Sequence, residues 1–113
     1  MSKVSFEDIG SVVATFKVDE GVVEGDAVKV TTAGSVGFCG KGEWFCGTIK
    51  KIRKDVASVQ LRGFMEVKTE VPINPGHVKL VSNGHGGVQS ADEGMDALVV
   101  KMNYVTQTAI IYL

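Results

Sequence analysis

Apolar and polar residues alternate with a period of two along most of the chain, the spacing of a strand that buries one face. Such runs predict strands over Ser11–Val18, Asp26–Thr31, Ser35–Phe38, Phe45–Arg53, Ala57–Lys68, His77–Ser82, Gly87–Gln89, Ala97–Asn103 and Thr106–Leu113. Between them stand residues that tolerate the positive φ of tight turns: Asp19-Glu20-Gly21, Glu24-Gly25-Asp26, Lys54-Asp55, Asn74-Pro75-Gly76 and Asn83-Gly84-His85-Gly86-Gly87. No window carries a stripe of period 3.6; Ser90–Met95 is the best helical candidate and predicts a short turn at most. Met1–Ile9 reads as an arm or a loose first strand, and residues 10–113 as a single β domain.

Composition strengthens the same expectation. The chain holds 19 Val and 6 Ile against 4 Leu and 7 Ala, and β-branched side chains crowd a helix but fit a pleated sheet. Fourteen glycines and two prolines supply the turns of short strands. The expected fold is all-β, a small barrel or a two-sheet sandwich. Its core should include Val13 or Phe16, with Val28, Val30, Ile49, Val59, Leu61, Leu80, Val99 and Ile111. The chain also echoes itself. A shift of 50 lays Val28-Lys29-Val30 over Val78-Lys79-Leu80, Gly34 over Gly84, Ile49 over Val99, and Lys51-Ile52 over Lys101-Met102. The same shift lays Ser58 over Thr108, Val59 over Ala109 and Leu61 over Ile111. Two similar β-units of about 50 residues, each covering the other's apolar face, would produce this pattern.

Chemistry is sparse. Cys39 and Cys46 lie seven apart in number and His77 and His85 eight, whereas structural zinc sites draw on pairs spaced more tightly, so no metal or cofactor is expected. Two cysteines are too few for a secreted disulfide scaffold and read as reduced thiols. The stretch Gly34-Ser35-Val36-Gly37-Phe38-Cys39-Gly40-Lys41-Gly42 looks superficially like a phosphate-binding loop. Its glycines are wrongly spaced, however, Gly42 stands where a magnesium-binding Ser or Thr belongs, and no helix follows. A glycine-rich hairpin loop is the better reading. No nucleophile motif accompanies the histidines, and Asp92, Glu93 and Asp96 form an acidic cluster in a polar loop. No catalytic residue is assigned, and the chain is expected not to be an enzyme.

The formal net charge is −1, so no bulk field draws the chain to nucleic acid or an anionic membrane. No apolar run reaches the ~20 residues of a membrane helix, and the N-terminus has no signal-peptide pattern, which predicts a chain that stays in the cytoplasm where it is made. Lys50-Lys51-Ile52-Arg53-Lys54 is a basic cluster at the end of a predicted strand. Alternation would place Lys50 and Lys54 on one face and Lys51 and Arg53 on the other, and lysines there also guard sheet edges against aggregation. Edge protection is the favoured reading; a small β-barrel module for nucleic acid or a protein partner is the alternative, with Trp44, Phe45 and Phe64 as its rings.

One resemblance gives this bland domain a role. Val23-Glu24-Gly25-Asp26-Ala27-Val28-Lys29-Val30, a glycine turn, Gly47-Thr48-Ile49-Lys50-Lys51-Ile52, and then Val59-Gln60-Leu61-Arg62-Gly63 follow one another in order. This order resembles the small head-decoration (capsid cement) proteins of tailed phages and prophages. The resemblance implies a non-enzymatic protein on the capsid exterior of the virion, present in the host cytoplasm during assembly. Its partners would be the major capsid protein and other copies of itself, often as a trimer. Interface candidates are Val4, Phe6 and Ile9 on the arm, suited to adding a strand to a neighbour's sheet, together with Trp44, Phe45 and Phe64.

Overall fold

A computed structural model describes residues 11–113, so the arm with Val4, Phe6 and Ile9 lies outside the described residues. Those described form ten strands and no helix. The first five are β1 (Val12–Val18), β2 (Ala27–Thr32), β3 (Ser35–Phe38), β4 (Gly47–Arg53) and β5 (Val56–Arg62). They are hydrogen-bonded in the order β1-β3-β2-β4-β5, and β5 returns to β1 to close a barrel. The parallel pairing of Lys17 with Ser35 and Val18 with Val36 completes that circle. The remaining five are β6 (Phe64–Lys68), β7 (Gly76–Ser82), β8 (Val88–Ser90), β9 (Met95–Asn103) and β10 (Thr108–Tyr112), in a sheet ordered β6-β10-β9-β7-β8.

The second order is the first one repeated. Replacing β6 to β10 by β1 to β5 in turn gives the barrel order, cut open between its first and third strands. The cut is itself bridged, by a single parallel pair between Thr69, just past β6, and Val88. Both units even carry the same bulge. In β4 the register steps from Ile49↔Val59 to Lys51↔Ser58 and skips Lys50. In β9 it steps from Val99↔Ile111 to Lys101↔Ile110 and skips Val100. The expected two-unit architecture is therefore present, as a closed barrel and a nearly closed one.

Two details of the sequence reading are corrected. The turn between β9 and β10 is two residues longer than Lys54-Asp55, so Val59 corresponds to Ile111 and not to Ala109. A slip of two leaves every side chain on its own face, which is why an ungapped alignment looked consistent. The predicted strand Ala57–Lys68 divides at Gly63, whose φ is +102°. Buried Gln60 spans the division, its Nε2 donating to the carbonyls of Arg62 at 3.1 Å and Phe64 at 2.8 Å. Ser90–Met95 forms no helix: β8 ends at Ser90 and β9 begins at Met95.

Two apolar clusters match the two units. Val28, Val36, Ile49, Ala57 and Val59 fill the first barrel, with Phe16 and Leu61 packed against them. Met65, Val67, Leu80, Val99 and Ile111 anchor the second. One of the expected core positions differs, Val30 at 52% exposed; of the pair Val13 or Phe16 it is Phe16 that packs on the core, Val13 being 50% exposed. Val30 lies on the half of β2 beyond its two pairs with β4, and Val13 points outward opposite Gln60 while Phe16 supplies the inward ring. Close packing also explains Gly47, where a Cβ would stand 2.1 Å from the Gln60 carbonyl oxygen on the neighbouring strand.

Leu80 is fully buried, so truncation leaves a void that the rigid sheet cannot collapse around. Leu80→Ala is expected to lower unfolding stability by about 3 kcal/mol in urea titrations followed by circular dichroism. A loss under about 1 kcal/mol would mean that the second core is not packed as described.

Candidate docking surface

The joint between the units is polar and tightly specified. Asp26 accepts the Val23 amide at 3.0 Å through Oδ2 and the Lys68 ammonium at 2.8 Å through Oδ1. Across the joint, Gly86 carbonyl accepts the Ala27 amide at 2.9 Å. Gly86 has φ +81°, and a Cβ there would lie 2.4 Å from Asp26 Oδ1. Gly25 donates to the Ile49 carbonyl at 2.8 Å, while Glu24 Oε2 accepts the Ile52 amide at 3.1 Å. Every residue of Glu24-Gly25-Asp26-Ala27-Val28 thus has a structural task.

The segment from Cys39 to Cys46 crosses from the first barrel to the second and back. Gly42 donates to the Ser82 carbonyl, and Ser82 donates from its amide to Glu43 and from its hydroxyl to Cys39, all at 2.9 Å. Cys39 and Phe45 are thereby buried in the second unit's core. Glu43 pins the turn: its Oε1 accepts the Gly40 amide at 2.6 Å and its Oε2 the Lys29 ammonium at 2.7 Å. The stretch that resembled a phosphate loop therefore has a glycine amide already bound by the protein's own carboxylate.

Several titratable side chains are taken up in local pairs. The His85 ring is bonded to Glu70, and Lys79 pairs with Asp96 at 3.1 Å. Among the described residues no three His, Cys, Asp or Glu side chains converge as a metal site. Both cysteines are free, and burial pushes each thiol above its ordinary range, away from the nucleophilic thiolate. A cleft of about 420 Å³ lies at the joint, with Asp26 and Lys68 on one side and Val22, Val23 and Phe38 on the other.

What the surface offers is bulky apolar side chains. Trp44 is 63% exposed, although its neighbours Glu43 and Phe45 are tied down by an ion pair and by burial. It is thus held outward on a loop anchored at both sides. Phe45, 2% exposed, is part of the core and does not reach the surface. Phe64 is half-buried, its ring 4.8 Å from that of Tyr112. The structure adds exposed residues that the sequence reading passed over: Phe38, Tyr104 and Val105, the last 93% exposed. Tyr104 and Val105 stand at the β9–β10 turn, where Asn103 Oδ1 accepts the amides of Val105 and Thr106. A turn without glycine that carries two apolar residues was the available signal. Compared with known protein families the chain matches none, and no curated protein matches it.

Two outcomes test this geometry. The Lys29 ammonium bonded to Glu43 holds that carboxyl below its ordinary 4.5. The stabilisation is therefore present above 4.5 and lost as pH falls through the lower folded value. The melting temperature of the protein should exceed that of Glu43→Gln near neutral pH, and the gap should shrink steadily as pH falls below 4.5. A gap that does not change with pH in the acid range would show that the ion pair is not its source. In the native protein, Cys46 should react with a thiol reagent more slowly than free cysteine and Cys39 more slowly still, both becoming fast in denaturant. Rapid labelling of native Cys39 would contradict its burial.

Proposed function

We propose that the protein is a non-enzymatic head-decoration protein of a tailed phage or prophage, binding the capsid exterior and stabilising the shell. The observation that carries this reading is Trp44, presented on a doubly anchored loop of a twin-barrel body. A rigid body that presents an aromatic side chain from a loop anchored on both sides loses little backbone entropy on docking, and Trp is a frequent centre of binding energy. Repeated on a lattice, modest contacts gain avidity. The order of motifs from Val23 to Gly63 supports the same reading. The partner is then the major capsid protein, with trimers of this chain about local symmetry axes as the economical arrangement.

Purified protein added to undecorated heads should saturate at a fixed ratio to capsid subunits and raise their resistance to heat. Trp44→Ala should weaken binding by about tenfold or more with little change in melting temperature, because its ring makes little of the core. Absence of saturable binding to heads, with salt-sensitive binding to single-stranded RNA, would transfer the function to a nucleic-acid module.

A further inference from the structure

The net charge of −1 conceals a strongly polarised molecule. Six of the twelve Lys and Arg residues lie on β1, β4, β5 and the β4–β5 turn: Lys17, Lys50, Lys51, Arg53, Lys54 and Arg62. Asp55 is the one acid among those strands and that turn, so they carry +5 and the rest of the chain −6. All six cations are exposed, and none has an ion-pair partner among the described residues. Two acids stand beside this region and keep their charge, Glu24 accepting the Ile52 amide of β4 and Asp19 the Thr31 hydroxyl, but neither pairs with one of the six cations.

Register gathers Lys17, Lys51 and Arg53 on one face. Arg53 lies opposite Val56 and Val56 opposite Lys17; Lys51 lies opposite Ser58 and Ser58 opposite Thr15. Ile52, Ala57, Val59 and Phe16, the alternate residues, point into the barrel. Arg53 and Lys17 are then two strand spacings apart, about 10 Å, within a Debye length, so their fields reinforce each other. The bulge at Lys50 adds that side chain to the exposed set, so the split over two faces expected from alternation does not occur.

Edge protection does not account for all of this charge. β4 pairs with β2 only at Gly47 and Thr48, so the cations from Lys50 to Arg53 can guard an edge, but Lys17 lies on a strand paired on both sides. The second unit builds the same surface from β9, β10 and β6 with less of this charge. There Lys101 keeps the place of Lys51, but Val100 takes that of Lys50 and Asn103 that of Arg53; Glu66 adds a negative charge, and Lys68 is neutralised by Asp26.

We infer that the outer face of β4-β5-β1 is a docking surface for an acidic patch on a protein partner. Among the described residues no aromatic ring stands on this face to stack a base, whereas Val13 and Val56 lie exposed between the cations and suit a mixed protein surface. A nucleic acid running beyond this face would meet the net negative charge of the other described residues, while a local acidic patch on a protein would not. The inference stands apart from the capsid reading, since any acidic protein partner satisfies it.

The test uses the full chain and a labelled polyglutamate peptide of about 20 residues, with binding followed by anisotropy against rising salt. K51E/R53E should bind about tenfold more weakly than the parent or worse, whereas K41E/K101E, the same charge change at exposed sites elsewhere, should stay within about twofold. Equal loss in both variants would mean that net charge and not this face is read, and would overturn the inference. So would an unaffected K51E/R53E, or a random duplex DNA of about 20 base pairs bound more tightly than the peptide at physiological salt. Concentration-dependent self-association that K51E/R53E abolishes would place the acidic patch on a second copy and support the inference. Failure of the protein to bind heads leaves these outcomes unchanged, and failure here leaves head binding to be judged through Trp44.

Discussion

Closure of the first barrel rests on β1, a strand hydrogen-bonded along both edges. It runs antiparallel to β5 from Val12 to Lys17, then meets β3 in parallel at Lys17 and Val18. A small sheet left open would expose unpaired amides and a cleft into Val28, Val36 and Val59. With β1 in place the cluster is sealed, and the outward residues of three consecutive strands become one continuous face. Core, cationic surface and rigidity therefore follow from the same pairing.

The second unit is closed less completely, by the bridge from Thr69 to Val88, and it depends on the first for the remainder of its core. Ala27, Cys39 and Phe45 belong to the first half of the sequence but pack with Leu80, Val99 and Ile111. Hydrogen bonds around Ser82 and the Asp26–Lys68 pair fix how this loan is made. Duplicate units with distinct cores would be expected to pivot about a joint; here the loop that carries Phe45 into its neighbour makes the two halves one packed body. The same loop leaves Trp44 outside, because the residues on either side of it are committed inward or to an ion pair.

The repeated architecture also separates what the fold requires from what it merely permits. The bulge, the strand order and the parallel closure recur in both units and so belong to the fold. Lys50 and Arg53 of β4 and the apolar tip at Tyr104 and Val105 occur in one unit each, on equivalent scaffolds. Differences of this kind mark positions free to serve partners, since packing places no demand on them.

Strand positions were legible because Val and Ile at period two have a local cause, the pleat, which each short segment expresses alone. The same holds for the turn at Lys54-Asp55 and for the echo between the halves, in which Ile49 and Val99 occupy one structural place. Other features had no local cause. Phe45 and Trp44 are adjacent aromatic residues of similar hydropathy, and only contacts with Leu80 and Ile111, remote in sequence, decide that one is buried. Gly63 ends β5 because Gln60 and the carboxyl-terminal strand take up the backbone on either side of it, a choice made across more than forty residues. The cationic face needed both the bulge at Lys50 and the pairing of β1 with β5, and a count of net charge averaged it away. The sequence by itself determined the periodicity that makes this chain all-β and doubled. Tertiary structure alone decided which side chains share a surface, because pairing register is set by contacts between segments and not within them.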